Sequence, residues 1–107
     1  MSGKYSYKIT ELCQNDIDDT LGYISFQLHN PDAAEVMYYK IENEIDYITR
    51  HPYTRGDCQY YYISDPHYRH SNIGNYVMVY YVDDEKMELR ILRFLYGKMD
   101  FSNIEME

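Results

Sequence analysis

The chain has 107 residues, a length that suits one domain spanning 1–107 and hardly permits two. With 45% hydrophobic and 26% charged residues its composition is that of a globular protein, not a disordered one. Its formal net charge of −8 makes direct nucleic-acid binding doubtful, because proteins that grip phosphate backbones carry a basic excess; a local basic groove on an acidic protein stays open.

Residues 5 to 9, Tyr5-Ser6-Tyr7-Lys8-Ile9, alternate and carry β-formers, which predicts a short first strand. Thr10-Glu11-Leu12-Cys13 reads as a helix entry. Cys13, Ile17, Leu21, Ile24 and Leu28 then recur at steps of three and four, one apolar stripe of a helix over 12 to 29. Asp16, Asp18 and Asp19 sit early in it, where negative charge suits the helix dipole. Asn30-Pro31-Asp32 is a restart signal, since Asn caps a helix and Pro is favoured at the first helical position. A second stripe runs through Ala34, Met37 or Tyr38, Ile41, Ile45 and Ile48, and ends at His51-Pro52. So short a junction makes the two helices an antiparallel hairpin. His51 reads as a cation at the helix C-terminus.

Residues 53 to 66 show no period and read as a loop with local extended structure around Tyr60-Tyr61-Tyr62-Ile63. Beyond it the chain is β: Tyr68 to Ile73, a Gly74-Asn75 turn, Tyr76 to Val82, a polar turn Asp83-Asp84-Glu85-Lys86, and Met87 to Tyr96. A last helical turn is expected from Phe101 to Ile104. The order β-α-α-β-β-β predicts an α+β two-layer sandwich, with the helical hairpin packed on a mainly antiparallel sheet. Strict alternation in the last strand puts Met87, Leu89, Ile91 and Leu95 on the helix-facing side together with Arg93. A charge on that side needs a carboxylate, and Asp100 is the expected partner.

Chemistry-bearing patterns are sparse. No nucleophile triad, phosphate loop or paired-carboxylate arrangement stands out, and no cofactor is expected. His67 and His70 stand at i, i+3 without further patterned ligands, so no metal is expected either. Cys13 and Cys58 lack the C-x-x-C spacing of redox or zinc sites and read as two reduced thiols of a cytoplasmic protein. Met1-Ser2-Gly3-Lys4 leads straight into the first strand with no signal-peptide pattern, and no stretch reaches membrane-helix length. The 15 Tyr, with 3 Phe and no Trp, suit half-buried rings over a thin sheet and equally a binding surface.

Two stretches carry a resemblance. Ile73-Gly74-Asn75-Tyr76-Val77-Met78-Val79-Tyr80-Tyr81-Val82 resembles the Gly–aromatic hairpin of the RelE/ParE toxin superfamily. Ile91-Leu92-Arg93-Phe94-Leu95-Tyr96-Gly97-Lys98-Met99-Asp100-Phe101 resembles the closing signature of its ParE-like members. The Leu28-His29-Asn30-Pro31-Asp32 junction fits the family's helix corner, and the likeness runs over about residues 5 to 104. The resemblance implies a bacterial toxin neutralised by a cognate antitoxin, acting either on a protein target such as DNA gyrase or as a ribosome-dependent mRNA endonuclease. As a nuclease it would rest on Arg69, His70 and Tyr96. As a binding protein it would use Arg90, Arg93, Lys98 and the Tyr60, Tyr61 and Tyr62 run. Val77, after the aromatic Tyr76, and Met99 stand where nucleases of the family carry arginine, and the tail from Ser102 to Glu107 has no counterpart of their closing Tyr or His. That departure favours the protein-target reading. A non-toxic binding module that kept the fold is a third reading, suited by the acidic balance.

Overall fold

The computed structural model describes residues 4–57, 65–98 and 104–105. Strand β1 (Ser6–Ile9) leads into helix α1 (Glu11–Gly22), a π-helical turn (Tyr23–Gln27) and helix α2 (Pro31–Arg50). Next come a two-residue strand β2 (Gly56–Asp57) and the strands β3 (Tyr68–Ile73), β4 (Tyr76–Asp83) and β5 (Glu88–Tyr96). The sheet order is β1-β5-β4-β3-β2. Strands β2 to β5 run antiparallel, and β1 adds to β5 in parallel. The helical hairpin lies on one face, so the two-layer α+β architecture expected from the pattern is the one observed. Tyr60, Tyr61, Tyr62, Cys58, Asp100 and the expected turn from Phe101 lie outside the described residues, apart from Ile104.

Both helix starts are capped as their residues dictate. The Thr10 hydroxyl accepts from the Cys13 N–H, and the Asn30 side chain accepts from the Ala33 N–H with Pro31 at the first helical position. Helix α1 does not continue regularly to residue 29. The Leu28 N–H donates to the Tyr23 carbonyl, five residues back, and Asn30 N–H to Ile24. Each inserted residue rotates the remainder of the turn by ~100° relative to an α-helix. Ile24 stays buried, but Leu28, expected on the apolar stripe, is 55% exposed.

The main core lies between hairpin and sheet. Cys13 and Ile17 of α1 and Ile41, Ile45 and Ile48 of α2 meet Ile73, Met78, Tyr80, Val82, Leu89, Ile91 and Phe94. Of the two alternatives on α2, Met37 packs against this core, and Tyr38 is exposed. Tyr80 is fully buried, and its hydroxyl donates to the Pro52 carbonyl at 3.0 Å, which removes the cost of burying it. Burial pushes the Cys13 thiol up to about 12. A second apolar cluster, Val77, Val79, Leu92 and Leu95 with Tyr68, Tyr81 and Ile104, occupies the other face.

Strict alternation fails in β5, and a bulge is the reason. Val79 pairs with Arg93 and Tyr80 with Ile91, leaving Leu92 as the extra residue. Before the bulge Leu89 and Ile91 face the helices, as expected. After it Phe94 takes the helix side, opposite Met78, and Leu95 turns to the far cluster, opposite Val77. The expected face of Met87, Leu89, Ile91, Arg93 and Leu95 is therefore split. Met87 is not in the strand at all. It sits in the β4–β5 turn with φ 49° and is 42% exposed.

Met87 yields a test of backbone strain. Left-handed backbone costs a residue with a Cβ about 1–2 kcal/mol, and a β-branched side chain more. Met87→Val is expected to destabilise the fold by about 1–2 kcal/mol in urea unfolding, whereas Met87→Gly is neutral or stabilising despite losing its side chain.

Candidate functional site

The residues that the sequence singles out for a site are distributed over the sheet. Arg69 and His70 are neighbours on β3, so they point to opposite faces. Arg69 stands opposite Tyr80 and His70 opposite Val79, members of the two different clusters. Tyr96 lies at the far end of β5 opposite Tyr76, which itself pairs with Ile73, three and four residues along β3 from His70 and Arg69. The three residues a nuclease would need do not converge.

The arginines are engaged within the fold. Arg69 donates to the Pro66 carbonyl at 3.2 Å, the Tyr53 carbonyl at 3.1 Å and the Arg55 carbonyl, with its guanidinium 5.2 Å from the Tyr53 ring centroid. Arg90 lies 4.6 Å from the Tyr81 ring centroid and 3.6 Å from Asp83. Arg55, not singled out from sequence, forks onto Glu44 with contacts of 2.7 and 3.0 Å and lies over Tyr47; the buried Ser71 hydroxyl also donates to Glu44. Lys98 is exposed beyond β5.

Arg93 has a carboxylate partner in Asp16 of α1; Asp100, the partner expected from the sequence, lies outside the described residues. The Arg93 Nε meets Asp16 Oδ2 at 2.7 Å and a terminal nitrogen meets Oδ1 at 2.9 Å, a two-pronged pair with side chains 13% and 14% exposed. The other terminal nitrogen donates to the Glu105 carbonyl at 2.6 Å, and Asp16 also accepts from the Phe94 N–H at 3.0 Å. A carboxylate 77 residues away takes the role because the start of α1 runs along the edge of β5 where β1 has ended.

Arg93 and Tyr96 do share a surface groove. About 360 Å³ in volume, it lies between α1 and the β4–β5 pair and is lined also by Asp16, Asp19, Tyr23 and Tyr76. Tyr76 stacks on Phe94 with centroids 5.1 Å apart and meets Tyr96 edge-on at 5.7 Å. A second groove of about 540 Å³ runs along the outer side of the hairpin past Leu21, Phe26, Ala34, Tyr38 and Tyr39. Phe26 is 75% exposed there. Residues 11 to 50 hold nine of the eighteen carboxylates and only two of the ten basic side chains, so they carry −7 of the net −8. The acidity is a property of the hairpin, and the remainder of the chain is close to balanced.

At the opposite end of the sheet a polar cluster joins four segments. Asp84 accepts from the Tyr5 hydroxyl at 2.8 Å and from the Tyr53 hydroxyl at 2.7 Å, and lies 3.5 Å from His67 Nε2. The other ring nitrogen of His67 meets Asp65 at 2.6 Å. Asp65 holds the His67 imidazole above its ordinary pKa, with Asp84 and Asp83 adding to it; hydrogen bonds from His67 lower Asp65, and those from Tyr53 and Tyr5 lower Asp84. No group of three or more His, Cys, Asp or Glu side chains arranged for a metal occurs among the described residues. No helix among them is long and apolar enough to cross a membrane.

Comparison with known proteins places this geometry. The family described as the ParE toxin of the type II toxin–antitoxin system, parDE, matches residues 7–101. Among solved structures, the chromosomal ParDE toxin–antitoxin system from P. aeruginosa holds a chain that superposes with a TM-score of 0.70 at 17% identity, covering 91% of this chain and 100% of that one. A chain of the RelBE2 toxin–antitoxin complex from Mycobacterium tuberculosis gives a TM-score of 0.60 at 18% identity, covering 87% of this chain and 98% of that one. At such identities the likeness is one of fold. No curated protein sequence matches.

The polar cluster sets a pH dependence. The His67 contribution is complete below its ordinary 6.5 and is lost as pH rises through the raised folded value. The Asp65 and Asp84 contributions are complete above 3.8 and fade as pH falls through their lowered values. The stability gap between wild type and His67→Gln, measured by urea unfolding, is therefore expected to be larger at about pH 5.5 than at about pH 9. A gap that is constant or grows with pH would contradict the cluster's role.

Proposed function

This chain belongs to the ParE toxin family of type II toxin–antitoxin systems, and from that premise we propose that it arrests bacterial growth by holding a protein target such as DNA gyrase. In the cell it is neutralised by a cognate antitoxin that covers it, and its place of action is the cytoplasm.

One observation supports a protein target over cleavage of mRNA on the ribosome. The described sheet arginines are occupied by carboxylates, carbonyls and rings of the chain itself, while the exposed side chains of the hairpin are aromatic and acidic. Cleaving RNA requires preorganised cations at the developing phosphorane charge and a proton donor beside them. Arg69 and His70 face opposite sides and Tyr96 lies two strands away, so assembling that set would demand breaking the sheet. Exposed aromatic rings on a rigid scaffold are instead the usual anchors of protein interfaces.

The test is tightly controlled induction of this chain in a bacterial host, with and without the product of the adjacent gene. The expected result is growth arrest, relieved by the partner, with plasmid topology changing before any transcript is cut. Arrest accompanied by cleavage of ribosome-bound mRNA, abolished by replacing Arg69, His70 and Tyr96, would transfer the assignment to an endonuclease. Normal growth with soluble folded protein would overturn the toxin reading.

A further inference from the structure

We infer that the groove between α1 and the ends of β4 and β5 is a socket for a lysine or arginine side chain presented by the antitoxin. The inference rests on the antitoxin reading for the identity of the donor, and on the groove itself for its chemistry.

Three tyrosines form the walls. Tyr76 is held by its stacking on Phe94 and carries Tyr96 edge-on, and Tyr23 faces them from the π-helical turn. Burial, and further Tyr23 and Tyr96, raise the Tyr76 hydroxyl above its ordinary pKa. Tyr23 and Tyr96 remain 53% and 41% exposed, so their rings are available. Aromatic rings present negative π-faces, and several of them converging on one space favour a cation over a neutral or anionic group.

The charge balance within the groove points the same way. The Arg93 guanidinium is neutralised by the two-pronged Asp16 pair, which fixes both. Asp19, one helical turn after Asp16, has no basic partner among the described residues and lines the same space. Among the described residues the groove therefore keeps one uncompensated carboxylate beside its rings, on a hairpin that carries −7 of the molecule's net charge of −8. At about 360 Å³ it has room for a guanidinium or ammonium together with its methylenes, which can lie along the tyrosine rings. A partner segment complementary to this hairpin must combine apolar anchors with Lys or Arg, and this groove is where one of those cations seats.

Titration of the ¹⁵N-labelled chain with N-acetyl-arginine amide, and with its neutral isostere N-acetyl-citrulline amide, tests the socket without any partner. The expected result is saturable shifts confined to Asp19, Tyr23, Tyr76 and Tyr96 and their neighbours, with a dissociation constant on the order of millimolar for arginine and no saturation for citrulline. Asp19→Asn should weaken arginine binding roughly fivefold. Tyr23→Leu should weaken it as well; both positions are exposed, so neither change threatens folding. Equal responses to arginine and citrulline, or shifts spread over all hairpin carboxylates, would overturn the socket. The second arm uses the partner that relieves growth arrest. Asp19→Lys should raise its dissociation constant at least roughly tenfold more than Glu42→Lys, a reversal elsewhere on the hairpin; equal effects would overturn the antitoxin as the source of the cation. Failure of the toxin reading would appear in the growth assay and leave the arginine titration unchanged.

Discussion

The pairing of Asp16 with Arg93 is the contact on which the arrangement of helix and sheet depends. Strand β1 ends at Ile9, opposite Ile91, yet β5 runs on to Tyr96. An edge of that length leaves backbone donors and acceptors that must be satisfied or shielded. Thr10 takes the first of them, its N–H donating to the Ile91 carbonyl and its hydroxyl to that of Leu92. Asp16 takes the next, accepting from the Phe94 N–H with the same oxygen that holds Arg93 Nε. The first turns of α1 thus act as the missing continuation of β1. The position of α1 then fixes the hairpin over the core and fixes one wall of the tyrosine-lined groove.

Much of this fold is written in short-range signals. The Thr10 and Asn30 caps, Pro31, the Gly74-Asn75 turn and the apolar stripe of α2 are each decided by residues within a few positions of one another, and each is legible in the chain. Features decided by distant contacts are not. Residues 88 to 96 are β-forming on both faces, so a one-residue bulge leaves no trace in their pattern; it becomes visible only when Val79 and Tyr80 are seen to pair across Leu92. The π-helical turn likewise replaces an acceptable helical stripe with another, and only the exposure of Leu28 betrays it.

The candidate site shows the same division. That Arg93 needs a carboxylate stems from its place in an apolar strand, but its meeting with Asp16 depends on how the hairpin folds back. Asp19 and Tyr23 carry no joint signal with Tyr76 and Tyr96, because α1 with its π-helical turn lies far from β4 and β5 in the chain. The overall charge of −8 is by contrast unevenly spread along the chain itself, with −7 of it in residues 11 to 50, which fold into the helical hairpin. Arginines serve here to tie loops and edges together, Arg55 to Glu44, Arg69 to three carbonyls, and Arg93 to Asp16. An acidic member of a toxin family is intelligible on these terms: the cations it has are used to hold the fold, and its exposed face suits a cationic partner.

A double-mutant cycle on Asp16 and Arg93 measures the central contact. Unfolding free energies would be taken for Asp16→Ala, Arg93→Ala and the double variant. A largely buried, two-pronged pair predicts a loss of about 3 kcal/mol or more for either single change, because each leaves an uncompensated charge. The Asp16 change should cost the more, since it also strips the Phe94 N–H of its acceptor. The double variant should fall short of the sum by about 2 kcal/mol or more. Additivity within about 0.5 kcal/mol would contradict the account, and would mean that the Asp16–Arg93 pair does not hold α1 to β5.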